Sequence, residues 1–400
     1  MLLKLMVIIR DIMKVKSIEV NGIGGIESIQ IDLDPHMNFI CGPNGIGKTT
    51  LLECIAHSFS LSDTNILKRN VSKKSGSFRS VIEIDGADQQ SEIVIADFDP
   101  NKNSSITTGL YKHASKLLSL KVSRTFQYQP LQAVSKDVDK SMNTSVEEAK
   151  SGVNTNEVKN WFVNRYLYSA HEGVLTEQQI NNLELAKNSF SLLNEEFSFS
   201  KVLAASNEIM VNTPNGDIYY EYLSSGFKSC LSIIFGIIKD IEFRFKEPYV
   251  NAFEFDGVIL IDELELHLHP EWQAKIAKIL VQVFPQAQFI TATHSPHILQ
   301  GANPNEIIAL ASENGKVYRR ELDGQKYGYQ GWTVEEILVD VMGMSDTRTE
   351  KYYQEINNFE QAIDSDNYSA AESAYIELDS LLHPNNNMRK LLKLELASVK

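Results

Sequence analysis

Residues 37–59 read Met-Asn-Phe-Ile-Cys-Gly-Pro-Asn-Gly-Ile-Gly-Lys-Thr-Thr-Leu-Leu-Glu-Cys-Ile-Ala-His-Ser-Phe. A short apolar run gives way to a glycine-rich turn, and from Lys48 the apolar residues recur at helical spacing. Gly42-Pro43-Asn44-Gly45-Ile46-Gly47-Lys48-Thr49 fits GxxxxGK[ST] in full, in the strand–turn–helix context that this pattern requires. Glycines let backbone N–H groups converge on phosphate oxygens, and the helix N-terminus adds a favourable dipole. Lys48 supplies a point charge for the β- and γ-phosphates, Thr49 a hydroxyl for Mg²⁺, and Thr50 continues the loop into the helix. The stretch predicts an α/β fold that binds ATP and Mg²⁺. A chance glycine-rich turn is the competing reading, so a second site element is needed.

Working outward, Gly257-Val-Ile-Leu-Ile-Asp262-Glu263 is a β-rich run ending in two acids, and QFITATHS at 288–295 is another. Continuous apolar runs of this kind are expected of central strands covered on both faces. Carboxylates at a strand's carboxyl end lie where open α/β sheets bind ligands. Asp262 can hold Mg²⁺ directly or through water, and Glu263 is placed to polarise a water for attack on a γ-phosphate. A lone histidine at a strand end is usually structural. Beyond an Asp-Glu pair, however, His294 occupies the place where an imidazole can touch a γ-phosphate. Leu223-Ser224-Ser225-Gly226 runs into CLSIIFGIIKDI, which reads as a buried helix. Ser224, Ser225 and Gly226 read both as an ordinary N-terminal cap and as hydroxyls and N–H groups offered to an anion, and the two roles are compatible.

The chain has 400 residues, 43% of them hydrophobic and 22% charged, which excludes a disordered chain and fits one elaborated domain or two smaller ones. No apolar run approaches the ~18–20 residues of a membrane span. The opening MLLKLMVII is short and lacks a cleavage site, so it reads as an extra strand or an upstream start, with Met13 opening the first convincing strand. Cys41, Cys54 and Cys230 form neither a metal spacing nor an even disulfide set, which points to a reduced, cytoplasmic compartment. A net charge of −14, from 52 acids against 38 Lys and Arg, weighs against non-specific nucleic-acid binding over the whole surface. Lys68, Arg69, Lys73, Lys74 and Arg79 form a basic stretch that reads first as a solvated loop and second as a nucleic-acid contact.

Alternation predicts hairpins over 14–34, over 79–97 turning at Asp85-Gly86, and over 207–221 turning at Pro214-Asn215-Gly216. The polar stretches 99–108 and 134–157 read as loops or mobile segments, 157–203 as mainly helical, and 332–400 as almost wholly helical. The resulting division is a phosphate-loop lobe over 1–133, a mainly helical insertion over 134–205, a second lobe over 206–330 with the serine turn, acidic strand end and histidine, and a helical extension over 331–400.

Taken in order, the phosphate loop, LSSG turn, IDE strand end and THS histidine resemble the ABC-type ATPase head of chromosome-organising and DNA-repair ATPases, over residues 14–310. The resemblance implies a mixed central sheet and ATP hydrolysis. It also implies a head-to-tail dimer, or a higher oligomer, in which Ser224, Ser225 and Gly226 of one subunit cover the nucleotide held by the other. A Mg²⁺-contacting glutamine is implied after the first hairpins, where Gln127 and Gln129 are candidates with nothing to separate them; a polar edge-strand residue is an equal reading of each.

Two departures refine the resemblance. The signature reads LSSGF where transporters favour LSGGQ, so Ser225 replaces a glycine and Phe227 a glutamine. After Glu263 comes Leu264-Glu265-Leu266-His267-Leu268-His269-Pro270, a DExExHLHP-like run similar to the anti-phage branch of the superfamily, the overcoming-lysogenisation-defect nucleases and the Septu ATPases (PtuA). His267 and His269 read as shaping the turn before they read as metal ligands.

Four functions compete: a switch ATPase in a defence complex, a DNA-repair or chromosome-type ATPase that binds DNA directly, a transporter subunit, and a single-chain nuclease. The LSSGF turn and the 214 residues from Lys48 to Asp262 disfavour a transporter, and the absence of sustained heptads disfavours a long arm. The 106 residues after His294 contain no evident acidic metal cluster, which disfavours a nuclease in this chain. Resemblance to the Septu ATPases then implies a separate HNH-type nuclease, PtuB. In retron relatives it implies a reverse transcriptase and a noncoding RNA as well. Ile337, Leu338, Val341, Tyr375, Leu378, Leu381 and Leu382 recur at helical spacings in the C-terminal extension. That face either packs on the ATPase core or docks the nuclease.

Overall fold

A computed structural model describes residues 12–123, 130–155, 157–322, 326–345 and 347–399. Its strands are β1 (Met13–Ile23), β2 (Ile26–Asp32), β3 (Met37–Cys41), β4 (Gly76–Ile84), β5 (Ala87–Ile95), β6 (Leu117–Leu120), β7 (Ser198–Leu203), β8 (Glu208–Thr213), β9 (Gly216–Tyr219), β10 (Val258–Ile261), β11 (Gln288–Ala292), β12 (Ile307–Glu313) and β13 (Lys316–Arg319). The helices are α1 (Lys48–His57), α2 (Met142–Ser151), α3 (Val158–Tyr168), α4 (Glu177–Leu193), α5 (Ser225–Arg244), α6 (Pro270–Val283), α7 (Pro296–Gln300), α8 (Val334–Glu336, running into a π-helical turn over Ile337–Val341), α9 (Glu350–Asp364), α10 (Tyr368–Leu381) and α11 (Met388–Ser398).

The central sheet has the order β13-β12-β3-β11-β10-β6, with its five inner and right-hand strands parallel and β13 antiparallel at one edge. Successive strand residues point to opposite faces, and both faces of this sheet are covered. Phe39, Cys41, Ile259, Ile261 and Phe289 enter a core shared with α3, α4, α5 and α6. Their neighbours Ile40, Val258, Leu260 and Ile290 enter a second core with α1 and the antiparallel sheet β2-β1-β4-β5. This accounts for the fully buried runs at 37–41, 257–261 and 288–292, in which the few polar side chains, Asn38, Gln288 and Thr291, are buried and hydrogen-bonded. Buried Gln288 ties the two sheets together: its Oε1 accepts from the Val15 N–H at 2.8 Å, and its Nε2 donates to the carbonyls of Val15 at 2.9 Å and Asp34 at 2.8 Å.

The hairpins fall at β1–β2, β4–β5 and β8–β9, with Asp85-Gly86 turning the second. One polar stretch is not a loop. Residues 142–151 form α2, opened by a capping box between Ser141 and Thr144. Charges on α2, on the segment before it and on α3 answer charges on α5, a helix buried almost all round from Gly226 to Phe243. Lys140 pairs with Asp240 and with Glu148 at 2.6 Å, Arg244 pairs with Glu148 at 2.8 Å, and Arg165 of α3 pairs with Glu242 and with Asp137 at 2.5 Å. Buried charges persist only when paired.

The described residues form two compact units, 1–343 and 344–400. Ile337 and Val341 belong to the main core of the first. The second holds its own small core, in which Phe359, Ala371, Leu378, Leu382, Leu392 and Leu396 meet, while Leu381 is exposed. Among the described residues no helix is long and apolar enough to cross a membrane.

Candidate functional site

Parallel neighbours place their following loops on one edge of the sheet. β3, β11 and β10 are adjacent, with Ile40 opposite Ala292 and Thr291 opposite Ile261. The glycine-rich loop, His294 and the Asp262-Glu263 pair therefore emerge side by side.

Gly47 sits at φ +109°, in the left-handed region, and a Cβ there would lie 2.8 Å from Ile26 Cγ1, so the position admits only glycine. Its turn opens α1 with no side-chain cap and no acid in the first turn among the described residues, which leaves the helix N-terminus to an anion. Buried Lys48 donates to the carbonyls of Gly42 and Pro43, both at 2.9 Å. Burial pulls its ammonium below the usual range, while Cys41 and the carboxylates of Glu265, Asp262 and Glu263 pull the other way. Thr49 Oγ1 donates to Asp262 Oδ1 at 3.2 Å. A hydroxyl and a carboxylate so close are oxygen donors of the kind that suits Mg²⁺.

Asp262 is buried, and its N–H extends the ladder to the Leu120 carbonyl at 3.0 Å. Glu263 follows at φ +49°, a left-handed conformation that costs a non-glycine residue energy and is concentrated at functional turns. His294 is half-buried; burial lowers its pKa, and Lys48 lowers it further against the carboxylates of Glu265, Glu263 and Asp262, which favours the neutral ring.

Glu265 joins the two loops. Its Oε1 accepts from the His294 N–H at 2.5 Å and its Oε2 from Thr293 Oγ1 at 2.7 Å. Ser295 Oγ in turn donates to Gln273 Oε1 of α6 at 2.6 Å. In the sequence Glu265 stands only as one letter of the DExExHLHP-like run. The available signal was a third acid two positions beyond Glu263, ahead of a histidine strand.

The signature residues lie elsewhere. Ser224 caps α5, accepting from the Phe227 N–H at 3.2 Å, and Ser225 is exposed. With Gly226 they line an open cleft of about 800 Å³ together with the C-terminus of α4 and His269, Glu271, Trp272 and Lys275 of α6. The described lining contains no residue of the phosphate loop, nor Asp262, Glu263 or His294. A Cβ on Gly226 would sit 2.6 Å from Trp272 Cδ1, and that indole packs edge-on against Phe227 with centroids 5.2 Å apart. Overpacking of this kind costs about 1–3 kcal/mol, offset by up to ~1 kcal/mol of helix propensity. Gly226→Ala is expected to lower stability by about 1 kcal/mol or more in urea unfolding, whereas exposed Ser225→Ala is expected to stay within about 0.5 kcal/mol of the parent. Equal midpoints for all three proteins would remove this packing role.

Gln127 and Gln129 lie outside the described residues. His267 turns the chain at φ +64°, and His269 caps α6, its Nδ1 accepting from the Glu271 N–H at 3.5 Å. No group of three or more His, Cys, Asp or Glu that could hold a metal occurs among the described residues. Much of the basic stretch is engaged structurally. Lys68 donates to the carbonyls of Asp99 and Lys102, Arg69 to those of Ala96, Asn70 and Lys73, and Arg79 pairs with Glu92 at 3.2 Å.

The family described as "AAA domain, putative AbiEii toxin, Type IV TA system" matches residues 37–300, from the start of β3 to the end of α7. Over 387 residues the chain is 42% identical to the Septu protein PtuA of Bacillus thuringiensis, covering 96% of this chain and 98% of that protein. The chain belongs to the Septu PtuA family. It is a defence-associated, nucleotide-binding ATPase with an α/β P-loop fold. This Septu ATPase is also 28% identical over 202 residues to the Retron Ec83 probable ATPase of Escherichia coli, covering 50% of this chain and 36% of that protein. Among solved structures it is similar to the SMC head domain from Thermotoga maritima, with a TM-score of 0.44 and 14% identity, covering 78% of this chain and 99% of that one.

Proposed function

We propose that this ATPase is the nucleotide-driven switch of a Septu-type or retron-type complex and controls a separate HNH nuclease. The observation that carries the chemical half is the meeting of Thr49 with Asp262 between the phosphate loop and the Glu263–His294 pair. In this reading the amides of residues 42–50 and Lys48 hold ATP, and Thr49 and Asp262 hold Mg²⁺. Bound Mg²⁺ supplies neutralisation of phosphate charge. Glu263 polarises the attacking water and His294 faces the γ-phosphate. Ser224, Ser225 and Gly226 serve the nucleotide of a second subunit, a role supported by their separate cleft. The nuclease half rests on the 42% identity to a Septu protein. Residues 344–400, a compact unit of their own, are its docking surface in this proposal.

The experiment is co-expression with an HNH protein from the adjoining reading frame. The full chain is expected to retain it through purification, and cleavage of nucleic acid by the complex is expected to differ between ATP-bound and nucleotide-free states. A variant ending at Gly343 that still binds nucleotide is expected to lose the partner. Full retention by that variant would move the docking surface to another part of the chain. No retention by the full chain would remove the nuclease reading.

A further inference from the structure

We propose that Glu265 is a positioning residue for hydrolysis: its carboxylate fixes the peptide of His294 and thereby sets where the imidazole stands relative to the γ-phosphate. This rests on the reading of His294 given above. Three consecutive residues after β11 are pinned by side chains, and Glu265 pins two of them. Its two oxygens are both spent, one on the His294 N–H at 2.5 Å and one on the Thr293 hydroxyl at 2.7 Å. That hydroxyl also accepts from the Ser295 N–H at 3.0 Å, so it relays the carboxylate's hold to the next residue. Thr293 is fully buried and its own N–H donates to the Ile40 carbonyl at 3.0 Å, at the mouth of the phosphate loop. On the other side, the Leu264 N–H donates to the Ala292 carbonyl at 3.1 Å and the Leu268 N–H to the Glu265 carbonyl at 2.9 Å. The turn carrying Glu263 and the turn carrying His294 are thus one hydrogen-bonded body with Glu265 at its centre.

The residue type supports positioning over simple capping. An ionised carboxylate is acceptor-only with two equivalent oxygens, which is what two donors at adjacent positions require. A glutamine offers one such oxygen, and a neutral cap would avoid a third negative charge beside Asp262 and Glu263, where a polyphosphate is to bind. The acid stands there nonetheless, within electrostatic range of both Lys48 and His294. Catalytic groups misplaced by about 1 Å can lose on the order of 10²-fold in rate.

The test compares Glu265→Ala, Glu265→Gln, His294→Ala and the Glu265→Ala/His294→Ala double variant in the full-length protein. Glu265→Ala is expected to lower kcat about tenfold or more while ATP and ADP affinities stay within about twofold, because the phosphate loop is untouched. Glu265→Gln, keeping one acceptor, is expected to recover most of the rate. If Glu265 acts through His294, the double variant is no slower than His294→Ala alone. Additive losses, an unimpaired Glu265→Ala, or a parallel loss of nucleotide affinity would overturn the proposal. Should Glu265→Ala fail to fold, the glutamine variant and its combination with His294→Ala carry the same comparison. Wild-type turnover in His294→Ala would instead remove the reading on which the proposal stands.

Discussion

Replacing Glu263 by glutamine is expected to slow ATP turnover by about 10²–10³-fold, within the range that a positioned general base contributes, while leaving ATP bound. Glutamine keeps the length of the side chain and one acceptor oxygen, puts an NH2 donor in place of the other, and loses the charge and the basicity. The neighbouring contacts do not depend on the charge of Glu263: Thr49 donates to Asp262, and Glu265 holds His294. Nucleotide should therefore enter normally and stay. If each nucleotide is closed over by a second subunit, the same variant should accumulate as an ATP-dependent dimer. Steady-state ATPase assays together with size measurement in ATP and in ADP check both halves. Normal turnover would remove Glu263 from the role, and slow turnover without association would keep the role but argue for self-contained sites.

Lys48→Ala should have the second large effect, lowering ATP affinity by about 10- to 100-fold, the loss expected when charged hydrogen bonds to phosphate are removed. The reason is partly local balance. Lys48 is a cation within electrostatic range of Asp262, Glu263 and Glu265. Without it an incoming triphosphate meets three carboxylates with one protein cation fewer to offset them. Nucleotide titration of the variant measures the loss, and wild-type affinity would dismiss the assignment. The same variant tests sharing between subunits when mixed with Ser224→Arg, which blocks the signature face. A mixed dimer keeps one site built from two intact halves. With random exchange, about a quarter of wild-type activity should return if the dimer is symmetric and its sites are independent. No recovery despite demonstrated mixing would argue against a shared site.

The juxtaposition of the candidate site's elements was legible because each is local: Gly42–Thr49, Asp262-Glu263 and His294 each follow a strand, and parallel pairing alone brings them to one edge. What escaped depends on partners far away in the chain. The polarity of 134–157 reads as a loop or mobile segment. Lys140 and Glu148 are in fact the partners of Asp240 and Arg244, which lie 100 and 96 positions further on. The apolar character of α5 hid the counterpart charges, since isolated Lys239, Asp240 and Glu242 in an Ile-rich run give no sign of what neutralises them. Gly226 likewise read as a signature residue on spacing, whereas its second constraint is an indole contributed by α6. The role of Glu265 is of the same kind, a contact between two turns that only the strand order brings together.

The position of β3 has a consequence for how the protein is made. Both sheet neighbours of β3, the strands β11 and β12, are encoded after residue 287. A ribosome adding about 5–20 residues per second needs roughly 13–50 s to travel from Met37 to its partner Phe289. Throughout that interval the apolar segment MNFIC has neither flank, and the glycine-rich loop behind it has no frame on which to hold a triphosphate. Pairing so distant in sequence is slow to form and leaves strand edges open to other chains. The nascent chain thus carries β3 unpaired until β11 and β12 have been made, and ATP can contribute to its stability only from that point on.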